Sequence, residues 1–262
     1  MDYGNYGPDI LIENHEGVAI VPYNRPDKLN AMTPEMHSNT GKIWIDFAND
    51  PAVRSVLITG AGRAFSVGGD YDLLNSSVGN YEGAARLLEE TRSIAYNMTN
   101  LDKPIVSAIN GYALGGGLAV AIMADISIAG ENAMLLDGHV KLGVPAGDHA
   151  AMCWPLLMGM AKAKRYLLTG DSLTGAEAER AGLISMAVPD DELLTTAMSF
   201  ATRLAKGPPR SIGMTKRSLN QWLRLAGHTA FDYSAALETL GFLGTEVKEG
   251  LASLQEKRDP KF

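Results

Sequence analysis

Strands are predicted in the first part of the chain, where apolar residues alternate with polar ones or form short β-branched runs. Ile10 to Glu13 and Val18 to Tyr23 flank a turn at Glu16-Gly17, and this pattern predicts a hairpin. Ser55 to Thr59 and Pro104 to Ile109 predict two further strands. The next predicted strand lies near Ile126 to Ile128.

Helices are predicted between these strands. Thr33 stands before Pro34, which is typical of an N-cap and a first helical residue. Residues 83–100 predict another helix, and residues 174–177 form a capping box. Residues 71–82 are rich in Asn, Ser and Gly and predict a mobile loop. The alternation of strands and helices indicates an α/β core.

The predicted strands end near residue 190, and only helices are predicted beyond it. The predicted helices are Asp191 to Lys206, Arg210 to Leu225, Ala230 to Leu243 and Glu246 to Gln255. We therefore expect a strand-bearing core over residues 1–195 and a helical region over residues 196–262. The helical region is expected to pack on the core or on another subunit.

Two glycine-rich turns follow the apolar strands. The first is Ala64 to Asp70, and the second is Asn110 to Gly117. A strand that leads through a glycine turn into a helix directs backbone N–H groups at one place, and two such turns can direct two N–H groups at one oxygen. This predicts an oxyanion hole and chemistry on a carbonyl. The alternative is that the glycines only permit a close strand–helix crossing.

The same turns argue against other glycine motifs. The second turn has no lysine after Gly116, as a P-loop requires, and Val120 stands where a dinucleotide fingerprint needs its third glycine. A serine hydrolase built on Ser66, Asp148 and His228 is disfavoured, because Ala64 replaces the first glycine of the nucleophile elbow.

Composition narrows the function classes further. The chain has 262 residues and a net charge of −7 without a run of Lys or Arg, which argues against nucleic-acid partners. Its single cysteine, Cys153, excludes an internal disulfide and is expected to be a buried thiol. No signal pattern and no stretch of membrane-spanning length is present, so a cytoplasmic protein without membrane partners is expected. His139 and His149, with only Asp148 nearby, fit no usual ligand spacing, so no metal is expected.

Motifs through nearly the whole chain resemble the enoyl-CoA hydratase, or crotonase, superfamily. The matching segments are residues 25–32, 62–70, 103–105, 110–117, 142–143, 168–170, 176–178, 182–183, 249–251 and 256–262. The resemblance implies a spiral of repeated ββα units with a C-terminal helical trimerisation region. It also implies trimers or dimers of trimers that act on an acyl-CoA, with coenzyme A as part of the substrate and no separate cofactor.

The resemblance assigns roles to residues of this chain. It implies that the amides of Gly69 and Gly116 form the oxyanion hole for the thioester oxygen. Residues that it implies for coenzyme A binding are Lys28, Ala31, Ala64 and Lys257. The alternative for the two lysines is ordinary solvated charge.

The chain departs from the family at both hydratase glutamates. Ala119 and His139 occupy those positions, so the two-glutamate addition of water cannot operate in its usual form. His139 and Asp148 together resemble the pair found in β-diketone hydrolases of the superfamily, and the same resemblance adds Glu238 and His37 to the site. Unlike those hydrolases, this chain keeps an unbroken Gly115 to Gly117, which favours a CoA thioester.

We therefore expect an enzyme in which His139, supported by Asp148, activates water for hydrolytic C–C cleavage of a β-keto or cyclic β-diketone-type substrate. The alternative is enoyl-CoA hydratase/isomerase activity with His139, Asp148 or Glu238 as the acid or base. A non-catalytic, RNA-binding member of the family is opposed by the acidic charge. The sequence leaves the acyl group open.

Overall fold

The ten strands form two sheets in a computed structural model that describes residues 3–262. The strands are β1 (Glu13–His15), β2 (Val18–Tyr23), β3 (Ser55–Gly60), β4 (Ala64–Ser66), β5 (Ile105–Ile109), β6 (Tyr112–Leu114), β7 (Ile126–Gly130), β8 (Met134–Leu136), β9 (Leu173–Thr174) and β10 (Met186–Val188). The predicted hairpin is present, although Ile10 forms only an isolated bridge with Tyr23 and β1 begins at Glu13.

The helices are α1 (Pro34–Asn49), α2 (Tyr71–Asn75), α3 (Tyr81–Asn100), α4 (Gly115–Ile122), α5 (His139–Leu142), α6 (Ala150–Met158), α7 (Met160–Thr169), α8 (Gly175–Ala181), α9 (Leu193–Lys206), α10 (Pro209–Leu219), α11 (Gln221–Ala226), α12 (Asp232–Phe242) and α13 (Glu246–Glu256). A π-helical turn, Gly227–Phe231, joins α11 to α12. Among residues 3–262, none of these helices combines the length and apolar character needed to cross a membrane.

Successive strands divide between the two sheets, and this division produces a spiral. The larger sheet has the order β1-β2-β3-β5-β7-β10, and the smaller one has the order β4-β6-β8-β9. Each of the pairs β3/β4, β5/β6 and β7/β8 sends one strand to each sheet and is followed by a helix. The predicted spiral of repeated ββα units is therefore confirmed.

Local signals account for the helix starts that position the site. The side chain of Thr33 accepts a hydrogen bond from the N–H of Met36, and Thr174 with Glu177 forms the predicted capping box. The prediction of a loop over residues 71–82 is wrong for its first part. Asp70 Oδ1 accepts a hydrogen bond from the N–H of Leu73 at 3.0 Å and so starts the short helix α2.

Helix α9 covers one face of the larger sheet. Its buried residues Leu193, Ala197, Ala201 and Ala205 recur every four positions and pack against Val18, Leu57, Val106, Ala108 and Ile128. The expected boundary between residues 195 and 196 falls inside this helix. The division into two regions stays a prediction.

Candidate active site

The two glycine turns lie against each other at one end of the smaller sheet. A Cβ at Gly68 would stand 3.0 Å from the carbonyl oxygen of Leu114 and 3.4 Å from the amide nitrogen of Gly116. Gly68 also has a φ of +81°, a conformation that side chains disfavour. Only glycine therefore allows the two turns to approach this closely.

Gly69 and Gly116 both line one cavity of about 290 Å³. Gly69 is held from both sides, since Gly68 accepts a hydrogen bond from the N–H of Met32 and Asp70 donates one to the carbonyl of Met32. Gly116 lies in the first turn of α4, where backbone N–H groups have no partner within the helix and the helix dipole attracts negative charge. This is the position that an oxyanion hole requires.

Four buried carboxylate and imidazole side chains stand beside this hole. His139 opens α5, and its Nδ1 lies 3.1 Å from both carboxylate oxygens of Asp137. Its Nε2 lies 3.5 Å from Oε1 of Glu238 and 3.7 Å from Oδ1 of Asp148. The structure thus brings together three residues that the sequence singled out, and it adds Asp137 as the group that orients the imidazole.

Asp148 connects this cluster to the glycine turns. A Cβ at Gly116 would stand 3.9 Å from Asp148 Oδ2. The other oxygen, Oδ1, is hydrogen-bonded to Nδ1 of His149, and Nε2 of His149 accepts a hydrogen bond of 3.1 Å from the indole of Trp154. Asp148 therefore has one oxygen engaged by His149 and one that lies beside Gly116.

The cluster separates the pKa values of its members. Burial alone would raise the pKa of Asp148, but His149 and His139 lower it below the usual range. Burial raises the pKa of Glu238. Burial alone would lower the pKa of His139, but Asp137, Asp148 and Glu238 raise it well above its usual value. At neutral pH, Asp148 is thus a carboxylate while the His139–Glu238 pair retains a proton.

Helix α12 carries Glu238 into the site. The hydroxyl of Ser234, one turn earlier, donates a 2.9 Å hydrogen bond to the carbonyl of Gly147. A Cβ at Gly147 would stand 2.6 Å from the Cβ of Glu238, so this glycine is needed for the helix to pack against the segment before Asp148.

His37 is buried in α1 and has a carboxylate partner that the sequence did not suggest. Its Nδ1 lies 2.8 Å from Oε2 of Glu90 on α3. His37 is close enough to Asp148 to lower the pKa of that carboxyl. It belongs to the surroundings of the cluster, and its direct role in catalysis stays a prediction.

Two residues of the site, Asp137 and His149, could not be assigned from the sequence. Asp137 stands two residues before His139, and His149 directly follows Asp148, but such near neighbours carry no helical or strand spacing that indicates contact. The only available signal was that so many polar residues lie in one Gly- and Pro-rich stretch.

The residues expected to bind coenzyme A lie outside the lining of this cavity. Lys28 and Lys257 are exposed, Ala31 is half-buried, and Ala64 is fully buried with its carbonyl accepting a 2.7 Å hydrogen bond from Asn30. Their role in binding stays a prediction. The cavity is instead lined by Arg258 to Pro260, a segment that Glu249 holds through Arg258 and through a 2.7 Å hydrogen bond from the N–H of Lys261.

Two other nucleophile candidates are unsuited to catalysis. Ser66 is fully buried, and its hydroxyl donates to the carbonyl of Asn30 at 2.8 Å. Cys153 is buried as expected, and burial raises the pKa of its thiol to about 12. Neither group is available as a nucleophile at neutral pH.

Two overlapping sets of buried side chains have ligand atoms close enough for one metal ion. Asp137, Asp148 and His149 form one set, and His139, Asp148 and Glu238 form the other. Both ring nitrogens of His149 already have protein partners, which disfavours the first set. The second keeps Nε2 of His139 available to a cation, and the expected absence of a metal stays a prediction.

Sequence and structure comparisons agree with this geometry. A profile of the family described as "Enoyl-CoA hydratase/isomerase" matches residues 13–262. The chain belongs to the enoyl-CoA hydratase/isomerase family. Within this family, it is 35% identical to a probable mitochondrial enoyl-CoA hydratase of Dictyostelium discoideum, over 94% of this chain and 87% of that protein. It is 31% identical to the 1,2-epoxyphenylacetyl-CoA isomerase of Escherichia coli, over 97% of each chain.

A solved enoyl-CoA hydratase/isomerase from Mycobacterium paratuberculosis matches the fold with a TM-score of 0.90 and 31% identity. The match covers 94% of this chain and 98% of that one. The protein is therefore an enzyme of the crotonase type, and acyl-CoA substrates are consistent with its family. C–C hydrolysis finds no support among these relatives, and hydratase/isomerase chemistry does.

Proposed function

We propose that this member of the enoyl-CoA hydratase/isomerase family hydrates or isomerises an unsaturated acyl-CoA thioester. One observation carries the proposal. The free oxygen of the ionised Asp148 is directed at the turn that holds Gly116, beside a His139–Glu238 pair that retains a proton. A base and an acid thus stand together next to a hole for the thioester oxygen. The relatives named as hydratases and isomerases support the same reading.

In hydration, Asp148 accepts a proton from water while the water oxygen forms a bond to Cβ of the enoyl group. The double-bond electrons move toward the thioester oxygen, and the amides of Gly69 and Gly116 stabilise the resulting enolate. The His139–Glu238 pair then delivers its proton to Cα. Proton exchange with water then returns Asp148 to its ionised form and restores the proton of the His139–Glu238 pair.

Isomerisation uses the same groups without water. A base removes a proton from Cα of a β,γ-unsaturated thioester, the hole holds the dienolate, and a proton is returned at Cγ. The acyl group, which the described residues do not specify, decides between the two outcomes. The buried methyl of Ala119, in place of a family glutamate, leaves Asp148 to supply the carboxylate.

The experiment is incubation of the purified protein with crotonyl-CoA, a 3-enoyl-CoA and a cyclic β-ketoacyl-CoA, with products read by mass spectrometry. Addition of water to the first, or double-bond migration in the second, supports the proposal. Turnover of the cyclic ketone alone contradicts it.

That outcome would instead support hydrolytic C–C cleavage, which one observation favours. His139 occupies a glutamate position with Asp137 on one nitrogen and two carboxyl groups near the other, an arrangement suited to activating water when the shared proton lies on Glu238. Attack on the ketone of a β-diketone-type substrate would then expel an enolate into the same hole.

We further propose that the enzyme assembles as a homotrimer or a dimer of trimers through its C-terminal helices. Large apolar side chains on α10 and α11 support this, since Met214, Leu219, Trp222 and Leu225 are each more than half exposed.

A further inference from the structure

A buried chain of three side chains ends at the carboxylate that the proposed function uses as its base. The indole of Trp154 donates to Nε2 of His149 at 3.1 Å, and Nδ1 of His149 is hydrogen-bonded to Oδ1 of Asp148. Trp154 and His149 are both fully buried, and Asp148 is 7% exposed. Of these three side chains, Asp148 is the one beside the oxyanion hole, since its Oδ2 lies 3.9 Å from where a Cβ of Gly116 would stand.

The chemistry of these groups fixes where the protons are. An indole N–H can only donate, so Nε2 of His149 must accept and carries no proton. The single ring proton is then on Nδ1, and it is donated to Asp148. Burial alone would lower the pKa of His149, but Asp148 and Asp137 together raise it. A second proton would nevertheless have to occupy Nε2, where Trp154 already donates.

Helix α6 fixes the relative positions of His149 and Trp154. His149 stands at its N-terminus and Trp154 five residues further on, and the carbonyl of His149 accepts a 2.8 Å hydrogen bond from the N–H of Cys153. The ring of Tyr166 packs near the indole, with centroids 6.5 Å apart. The imidazole therefore cannot turn without breaking its contact with Trp154.

The other charged groups around Asp148 do not replace this restraint. His139 faces Oδ1 at 3.7 Å, beyond ordinary hydrogen-bond distance, and His37 acts only through its charge. Glu238 and Asp148 repel each other when both are ionised. His149 is thus the one group among the described residues that both holds Asp148 at close range and opposes its protonation.

We propose that Trp154 and His149 are positioning residues, which lock one oxygen of Asp148 so that the other is aimed, ionised, at the substrate beside Gly116. The proposal rests on the proposed function, in which Asp148 is the base. It extends that function to two residues that do not touch the substrate.

The chain of hydrogen bonds is tested first without any substrate. The protein has five histidines, so histidine-selective ¹⁵N labelling with His149→Asn as the assignment variant is practicable. We expect the His149 signals to be those of the neutral Nδ1–H tautomer and to stay unchanged from about pH 5 to pH 9. A His149 that titrates in this range, or that carries its proton on Nε2, overturns the proposal. The protonation state is read on the native protein and needs no tryptophan variant, so the result stands even if Trp154→Phe fails to fold.

Kinetics of Trp154→Phe test the consequence for the reaction. Phenylalanine keeps most of the buried volume and removes the N–H. We expect kcat to fall about 3- to 10-fold, because one hydrogen bond is lost, and KM to stay nearly unchanged. We also expect a new fall of kcat on the acid side near neutral pH, because Nε2 of His149 can then take a proton. Unchanged kcat and pH profile overturn the proposal.

Trp44→Phe is the matched control. Trp44 is also buried, at 1% exposure, but its indole nitrogen has no hydrogen-bond partner among the described residues. This variant should keep both kcat and the pH profile. An equal loss in the two variants would be a packing effect and would overturn the positioning role. Failure of the proposed function is a separate result. In that case no enoyl-CoA substrate would be turned over, but the histidine NMR signals would still be those expected.

Discussion

At the scale of single residues, the structure gives three carboxyl groups three different roles. Asp137, Asp148 and Glu238 are three buried carboxyl groups around one imidazole. Asp137 orients the ring, Asp148 is ionised, and burial raises the pKa of Glu238 so that it can share a proton with His139. The environment of each carboxyl, rather than its residue type, decides its role.

The role of Asp148 predicts a large effect of one substitution. Asp148→Asn preserves size but removes the negative charge, so kcat on an enoyl-CoA substrate should fall about 10²- to 10⁴-fold. Steady-state kinetics measure this. The matched control is Asp171→Asn, an exposed aspartate that should keep native activity. Activity of Asp148→Asn within about twofold of native would contradict its role as the base.

The pKa shifts predict the shape of the pH profile. The pKa of His139 is raised, so the protonated pair that delivers the Cα proton persists above neutral pH and is lost as pH rises through the raised value. The pKa of Asp148 is lowered, so its ionised form persists far into acid. We therefore expect kcat to fall only on the alkaline side.

The measurement is kcat from about pH 5 to pH 10 in native protein and in His139→Asn. The variant should lose the alkaline fall together with most of its activity. A native kcat that rises with pH would show that the pair acts deprotonated, which contradicts the proposed acid.

At the scale of elements, the glycine turns show why small residues stand where strands pass between the sheets. A Cβ at Gly117 would stand 2.4 Å from the carbonyl oxygen of Ser66, so no side chain fits between α4 and β4. The close strand–helix crossing, which the sequence also allowed, does not compete with the proposed oxyanion hole. The same packing that requires glycine brings Gly68 against Gly116.

Gly117→Ala should therefore destabilise the fold by about 1–3 kcal/mol, the usual cost of overpacking. Urea denaturation followed by circular dichroism measures the change. Gly138→Ala is the control, because its Cβ would meet no atom within 4 Å and its φ of −94° suits alanine. Equal midpoints for the two variants would contradict the steric argument.

Elements with local signals could be predicted from the sequence, and those set by distant contacts could not. Thr33-Pro34 and Thr174 with Glu177 start helices through their own side chains. The division of strands between two sheets depends on pairings between residues that are distant in the sequence, such as Val106 with Ile126 and Val56 with Ile105, for which the sequence has no local mark. The helix at Tyr71–Asn75 was missed because Asp70 was counted with the glycine turn and not as a cap.

The candidate site follows the same rule. The two glycine turns were indicated by their strand–turn–helix context, and the resemblance then singled out Gly69, Gly116, His139, Asp148 and Glu238. The contacts of Asp137 with His139 and of Trp154 with His149 could not be predicted. They depend on the orientation of each imidazole ring, and packing determines that orientation.

At the scale of the whole molecule, α10 and α11 expose four large apolar side chains, which are typical of a protein–protein interface. We expect the protein to elute with about three or six times the 28.0 kDa mass of one chain in size-exclusion chromatography with light scattering. Trp222→Glu, a charge on the exposed indole position, should shift the population toward monomer. A native monomer at micromolar concentration would contradict the proposed assembly.

The position of helix α12 links the packing of the C-terminal region to the activity of the site. It supplies Glu238 to the buried cluster, and Ser234 ties it to the segment before Asp148. Any outward movement of α12 therefore admits water and withdraws the proton donor in one step. Because the enolate forms before this pair delivers its proton, a molecule with α12 displaced would stop at the protonation of Cα.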